Sequence, residues 1–491
     1  MHPLFSNLDL DQTGHRPVYL QLASKLMTFI KDGSLQVGHK LPGTREMARS
    51  CGVHRKTVIR AYDDLVAQGW LESRLGSGTF VATNLQKNQQ RQLAKSDVLA
   101  GDYSKTAGFN FIQIPHLQSK VMKYDSIYHL DDGLPDARLA PLADISRAYR
   151  TQLLIGNHYE RFGYSDPQGS LGLREELSSY LNETRGMNIT AANVLITRGT
   201  VLGLYLTCAG LIQKGDIVVT GAPGWLGAET IFKQAGGEII IIPVDQYGLV
   251  VDELENICKK QQVRLVYLTP HHHYPTTVVL RADRRVQLMH LSEKYGFIIF
   301  EDDYDYDFHY FNKPILPLAS VDIFGMVIYC GSFTKVISPG LRVGYLVASE
   351  NVINHLARLR RFVDRQGEYI LENAIAELLQ NGIIQRHLRK SVRIYRQRRD
   401  IFCDLMQNKL NNYLEFQIPD GGMSIWASFD PKICLTDLAE KARVKGLHIS
   451  DGKFHRSLSE KMNSTRLGFA SSTPNELEHS VDIIANLIKN S

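Results

Sequence analysis

A lysine that ends a run of strand-forming residues makes the strongest claim to chemistry in this sequence. Met326-Val327-Ile328-Tyr329-Cys330 leads into Gly331-Ser332-Phe333-Thr334-Lys335. An ammonium delivered there costs free energy unless it is paired or used covalently, and Schiff-base formation is such a use. A second apolar run, Gly296-Phe297-Ile298-Ile299-Phe300, carries Glu301-Asp302-Asp303-Tyr304 to its own end. Arg342 follows the lysine in SPGLRVGY, Gly199-Thr200 opens a helical pattern in ITRGTVLGLYL, and Trp225 ends a strand in TGAPGWLG. A lone lysine after a strand is ordinarily a surface residue and a lone tryptophan ordinarily core. Together these residues supply what pyridoxal phosphate needs. Lys335 can hold its aldehyde, and Asp302 can keep its pyridine nitrogen protonated. Tyr304 can meet the ring oxygen, and Trp225 can stack on the ring. Ser332, Arg342 and the Gly199 and Thr200 amides can take the phosphate.

Those residues need a scaffold that collects strand ends. EIIIIPV (238–244), VRLVYLTP (263–270), GFIIFEDDY (296–304) and GMVIYCGSF (325–333) are too short for helices and are separated by helical patterns. Continuous apolar strands with helical crossovers predict an α/β fold with a mostly parallel sheet covered on both faces. Ligands of open α/β sheets bind at the carboxyl ends of the strands. Beyond about Ser349 the pattern turns helical and then mixed, which predicts a smaller lobe over roughly 350–491.

A second constellation lies near the N-terminus. Leu22, Leu26, Phe29 and Ile30 form one helical stripe, a short helix follows Pro42 with Thr44 as its expected N-cap, and Gly52 turns into HRKTVIRAYDDLVAQG. Two short helices meeting at a glycine turn make a helix-turn-helix, whose second helix enters the major groove by its N-terminal end. That end carries His54, Arg55, Lys56 and Thr57, with Arg60 one turn on, and Arg45 is placed to reach a phosphate. WLESRLGSGTFVAT then reads as a hairpin whose Gly76-Ser77-Gly78 tip fits a minor groove.

The chain has 491 residues and a net charge of +5. Residues 1–119 hold 14 basic and 9 acidic side chains, so the whole excess lies there and the remainder is balanced. This distribution directs a search for a nucleic-acid partner to the first quarter. Residues 83–105 are rich in Gln, Asn, Lys and Ser and read as a linker. The expected division is 11–83 for the DNA-binding module, 84–125 for the linker and 126–491 for the large domain. Six scattered cysteines without a CxxC pair fit reduced thiols, and no apolar run reaches 18 residues. The expected compartment is the cytoplasm, with no membrane contact. His271-His272-His273 are consecutive in a loop and cannot all face one ion, so no residue is assigned to a metal.

The stretch KLPGTREMA through GVHRKTVIRAYDDLVAQGWLESRLGSGTFV resembles the winged-helix domain of the GntR superfamily. That resemblance implies DNA contacts from Arg45, Arg55, Thr57 and the Gly78 wing. The strand-end set resembles the fold-type-I aminotransferase pattern over residues 126–491. It implies Lys335 as the aldimine lysine, Asp302 as the pyridine partner and Tyr304 at the ring oxygen. It also implies Gly199, Thr200, Ser332 and Arg342 at the phosphate. Arg466 in TRLGFA resembles the arginine that clamps a substrate carboxylate, and Tyr164 in FGYSDPQG resembles a tyrosine reaching the phosphate from a neighbouring subunit. The order of the parts resembles the MocR subgroup. In HHHYPTT this chain departs from the aminotransferase pattern, with Tyr274 in place of an asparagine and Thr277 in place of a glycine; Val201 replaces a residue that is often polar.

The resemblance implies a homodimeric, pyridoxal-phosphate-dependent regulator of double-stranded operator DNA. It would sense an amine, an amino acid or pyridoxal phosphate through aldimine chemistry at Lys335, with at most a partial transamination. The alternatives are an active class I/II aminotransferase with a DNA-binding appendage, and a DNA-binding protein whose large domain has lost its cofactor. The effector, the operator and the sign of regulation are not legible in the residues.

Overall fold

The computed structural model describes residues 3–5, 8, 10–13, 15–85, 106–114, 117, 126–310, 315–456 and 462–490. Two compact units divide the chain, Met1–Gln113 and Ile114–Ser491. Much of the expected linker, residues 86–105 and 118–125, lies outside the described residues.

The first unit contains α1 (Val18–Lys31), α2 (Thr44–Ser50) and α3 (Arg55–Ala67), followed by the hairpin β1 (Leu71–Arg74) and β2 (Gly78–Val81). Leu22 and Leu26 of α1, Met47 of α2 and Val58, Ala61 and Leu65 of α3 are sealed in one core, with Phe29 and Ile30 packed along its side. Thr44 is not the N-cap that the sequence suggests. Gly43 occupies the N-cap with no side-chain bond, and Thr44 is the first helical residue. The Thr44 hydroxyl instead accepts from Arg55 Nε at 3.2 Å, joining the starts of α2 and α3. His54 caps α3 by accepting from the Lys56 amide at 3.2 Å. In the hairpin, Arg74 pairs with Gly78, and Gly76 and Gly78 take φ of +73° and +110°, which a tight turn of L-residues would resist.

The second unit is built on an eight-stranded sheet. Its spatial order is Val194–Thr197, Gly344–Val347, Val327–Ser332, Ile298–Asp303, Val263–Leu268, Ile217–Ala222, Glu238–Asp245 and Gly248–Leu249. The five strands from Val327–Ser332 to Glu238–Asp245 run parallel. Every residue of Val327–Ser332 is buried, as expected of a strand covered by helices on both faces. Gly344–Val347 is antiparallel to both neighbours and was not marked by any pattern in the sequence. Its direction brings Arg342 to the edge where the parallel strands end. Beyond the sheet come the helices Glu350–Val363 and Tyr369–Gln380 and the long helix Ile383–Leu410. A three-stranded antiparallel sheet follows, of Leu414–Phe416, Ser424–Phe429 and Ser464–Gly468. No described helix is long and apolar enough to cross a membrane.

Candidate functional site

Asp302, next to last in its strand, is in register with Cys330, two residues before Ser332 on the neighbouring strand. It is 5% exposed. The Tyr267 hydroxyl, from the strand on the other side, donates to Asp302 Oδ2 at 2.8 Å. Asp302 Oδ1 has no hydrogen-bond partner among the described residues. Burial pushes the carboxyl up to about 7, with Tyr267 pulling the other way. A buried acceptor without a donor is costly, and it fits a pyridinium N–H. Trp225 and Tyr267 line one small pocket, so the stacking candidate sits beside the residue that positions Asp302.

Lys335 donates from Nζ to Gly133 O at 2.7 Å. Burial lowers its pKa, while Asp132 and Asp131 pull it back up. The neutral amine is the form that attacks an aldehyde, and burial favours it. Tyr304 donates to His272 O at 3.0 Å and accepts from Arg466 Nη2 at 3.2 Å. Its hydroxyl is thus engaged by the backbone and by Arg466, and burial raises its pKa.

The phosphate candidates gather at the start of the helix Thr200–Leu211, where amide N–H groups lack helical partners. Gly199 is its N-cap at φ +78°, and a Cβ there would lie 2.8 Å from Arg342 Nη2. The positive φ is what calls for glycine here, and the guanidinium beside it donates to Arg198 O at 3.0 Å. Arg342 itself has φ +50°. Ser332 Oγ donates to Val343 O and accepts the Thr334 amide, while Thr334 Oγ1 is buried and has no hydrogen-bond partner among the described residues. A bare glycine cradle, an arginine, helix-start amides and an unpartnered hydroxyl together fit a phosphate.

Arg466 lies on the strand Ser464–Gly468 and is 1% exposed. Tyr274 joins this group, donating to Asp132 Oδ2 at 2.5 Å. Asp132, Gly133, Tyr267 and His455 escaped the assignment from sequence. Nothing local ties the run Asp131-Asp132-Gly133-Leu134-Pro135 to Arg466, which lies 334 positions beyond Asp132. Tyr164 stands apart, 78% exposed with Arg365 over its ring at 3.7 Å. The three consecutive histidines diverge: His271 Nε2 to Ile315 O, His272 to Asp305 and His273 to Thr276.

In the first unit, Arg45, His54, Arg55, Lys56 and Arg60 are exposed and Thr57 is half-buried. Arg60 lies over the Tyr19 ring of α1 at 4.0 Å, so its guanidinium is already stacked. At the hairpin, a Cβ on Gly78 would meet the Lys40 side chain at 3.2 Å, and Lys40 and Arg74 both lie over Phe80. These two cations flank the turn and were missed because neither belongs to the recognition helix.

Residues 133–484 match aminotransferase class I and II, and residues 18–81 match bacterial regulatory proteins of the gntR family. The HTH-type transcriptional regulator YdfD of Bacillus subtilis is 30% identical over 478 residues, covering 96% of each chain. The probable rhizopine catabolism regulatory protein MocR of Rhizobium meliloti is 29% identical, covering 97% of this chain and 94% of its own. The kynurenine aminotransferase of Pyrococcus horikoshii, solved in complex with PMP, aligns with a TM-score of 0.70 at 25% identity, over 77% of this chain and 97% of its own. An archaeal alanine:glyoxylate aminotransferase aligns with a TM-score of 0.70 at 27% identity, over 77% of this chain and 93% of its own. With a winged helix at one end and an aminotransferase fold over the rest, the chain belongs to the gntR family of bacterial regulatory proteins, in its MocR subgroup.

Proposed function

We propose that this transcriptional regulator binds pyridoxal phosphate at Lys335 and senses a primary amine, an amino acid or the cofactor itself. The observation that carries the proposal is the buried Asp302, held by Tyr267 with one oxygen left unpartnered. When bound, pyridoxal phosphate supplies an aldehyde carbon that condenses with primary amines. Asp302 would hold the proton on the ring nitrogen and Trp225 would cover a ring face. Gly199, Thr200, Ser332, Thr334 and Arg342 would hold the phosphate. Lys335 Nζ, whose pKa burial lowers, would be the amine that holds the cofactor and gives way to a ligand amine.

The unit that reads DNA would use Arg55, Lys56 and Thr57 from the start of α3. His54 would cap that helix, and Arg45 would hold the backbone. The Gly78 hairpin, flanked by Lys40 and Arg74, would lie in the neighbouring minor groove. A homodimer suits both ends of the chain, because paired half-sites need two reading helices. A cleft of about 790 Å³ beside Arg342 is lined by Leu142, Tyr149 and Leu153. These side chains are 63%, 37% and 38% exposed, an apolar surface of the kind a second copy covers. Tyr164, exposed on the surface, would reach the phosphate site of the second copy.

Titration with pyridoxal phosphate followed by borohydride reduction and peptide mapping tests the proposal. A phosphopyridoxyl group on Lys335 is expected; an adduct spread over surface lysines would contradict it. A principal role as an aminotransferase would show as sustained turnover with an amino donor and a keto acid. A regulator gives a spectral change without turnover.

A further inference from the structure

All the nitrogens of Arg466 face groups of this chain. Nη1 donates to Pro275 O at 3.3 Å, Nη2 donates to Tyr304 Oη at 3.2 Å, and Nε lies 3.4 Å from Asp132 Oδ1. Asp132 is itself anchored, because Tyr274 donates to its other oxygen at 2.5 Å. The guanidinium also stands 5.1 Å from the Tyr274 ring. The backbone after Asp132 presses on the same group: a Cβ on Gly133 would be 3.3 Å from Arg466 Nη2. Arg466 therefore already faces a carboxylate of this chain at ion-pair distance, held there by Tyr274, although neither Arg466 Nε nor Asp132 Oδ1 makes a hydrogen bond among the described residues.

We propose that Asp132 fills the anion subsite of Arg466, so that the sensed ligand is a primary amine without an α-carboxylate. This rests on Lys335 being the amine-exchanging residue, as proposed above. An amino acid would bring its carboxylate beside Asp132. It would have to displace Asp132 from Arg466 or stand next to it as a like charge in a partly dry pocket, where the repulsion is only weakly screened. An amine without that group leaves the Arg466–Asp132 pair intact. The pocket also offers it acceptors. Asp132 Oδ1 makes no hydrogen bond among the described residues, and neither ring nitrogen of the buried His455 has a hydrogen-bond partner there. Burial lowers the His455 pKa to about 4, so its ring is neutral and one nitrogen is free to accept. The His455 ring sits 5.5 Å from Tyr274, on the same wall.

The test titrates pyridoxal-phosphate-loaded protein with matched pairs that differ by the carboxylate, phenethylamine against phenylalanine and putrescine against ornithine, read by visible absorbance. Each amine is expected to act at a concentration at least about tenfold lower than its amino acid. Asp132→Asn keeps an acceptor for Tyr274 but removes the charge, and should bring each amino acid level with its amine or ahead of it. Tyr274→Phe, which only loosens Asp132, should move the ratio the same way by less and stands in if the first variant does not fold. A second reading needs no cofactor: maleate should leave the melting temperature of cofactor-free wild-type protein unchanged and raise that of Asp132→Asn. Amino acids that match or outcompete their amines in the wild type, or a maleate shift of equal size in both proteins, would overturn the proposal. Failure of the Lys335 assignment looks different: no visible band forms with pyridoxal phosphate, while the maleate comparison still reports on Asp132.

Discussion

Replacing Asp302 with asparagine should stabilise the cofactor-free protein in mild alkali and weaken its hold on pyridoxal phosphate. In the fold, burial raises the carboxyl from its ordinary 3.8 to about 7. The unfolded chain therefore releases this proton more readily, and stability falls as pH rises from about 4 to about 7. At 1.36 kcal/mol per pH unit, the cost above neutrality has an upper bound of about 4 kcal/mol, and water entry and relaxation reduce it to roughly 1–2 kcal/mol. Asparagine has the same shape, carries no charge and still offers Tyr267 an oxygen. Asp302→Asn should thus recover about 1–2 kcal/mol near pH 8 and nothing near pH 4, which urea denaturation at the two pH values would show. The same change removes the charge-assisted bond to a protonated pyridine, worth about 1.5–3 kcal/mol, or a loss of roughly 10- to 150-fold in cofactor affinity. Fluorescence titration with pyridoxal phosphate reads that loss. A variant that is no more stable in alkali, or that binds the cofactor as tightly as wild type, would refute the reasoning.

Lys335→Ala should abolish the visible absorbance formed with pyridoxal phosphate, and measurable binding should persist through the phosphate cradle at reduced affinity. Gly344→Ala would drive a Cβ to 2.8 Å from Gly199 Cα, backbone that cannot swing aside; it should weaken inorganic phosphate binding by calorimetry at a cost of about 1–3 kcal/mol in stability. Arg55→Ala should reduce specific operator affinity by about 1–3 kcal/mol and leave the cofactor spectrum unchanged, as gel shift and absorbance would show. Lys40→Ala beside the hairpin should weaken binding about equally for all DNA sequences and lower the salt slope by about one.

Strands whose residues are apolar throughout were legible because burial on both sheet faces leaves no polar position; Val327–Ser332 and Ile298–Asp303 were placed to within about two residues. Gly344–Val347 was not, because four residues opening with glycine carry no periodicity, and its antiparallel direction depends on partners 12 or more residues away. The cofactor candidates were legible because each sits at a strand end or helix start, which local sequence marks. Asp132 was not, since its meaning comes from Arg466 and Tyr274, brought to it by the fold. Residues 386–399 show the same limit: seven Lys and Arg without an acid read, by themselves, as a solvated helix face. Arg386, Arg389, Lys390, Arg393 and Arg396 are exposed on the helix, as a solvated face predicts. Arg398 instead turns inward to Asp136 at 2.9 Å, and Arg399 to Pro419 O. The acid that pairs with Arg398 lies 262 residues away, beyond any local pattern.

Operator affinity measured with and without ligand shows whether amine exchange at Lys335 alters DNA binding, as the proposed sensor requires. Fluorescence anisotropy on pyridoxal-phosphate-loaded wild type should show a change of roughly 5- to 150-fold when a saturating primary amine is added, a coupling of about 1–3 kcal/mol. Lys335→Ala should bind the same DNA with no response to the amine. Equal operator affinity in the presence and absence of ligand, in a wild-type protein whose visible spectrum shows the amine bound, would rule out a sensor at Lys335.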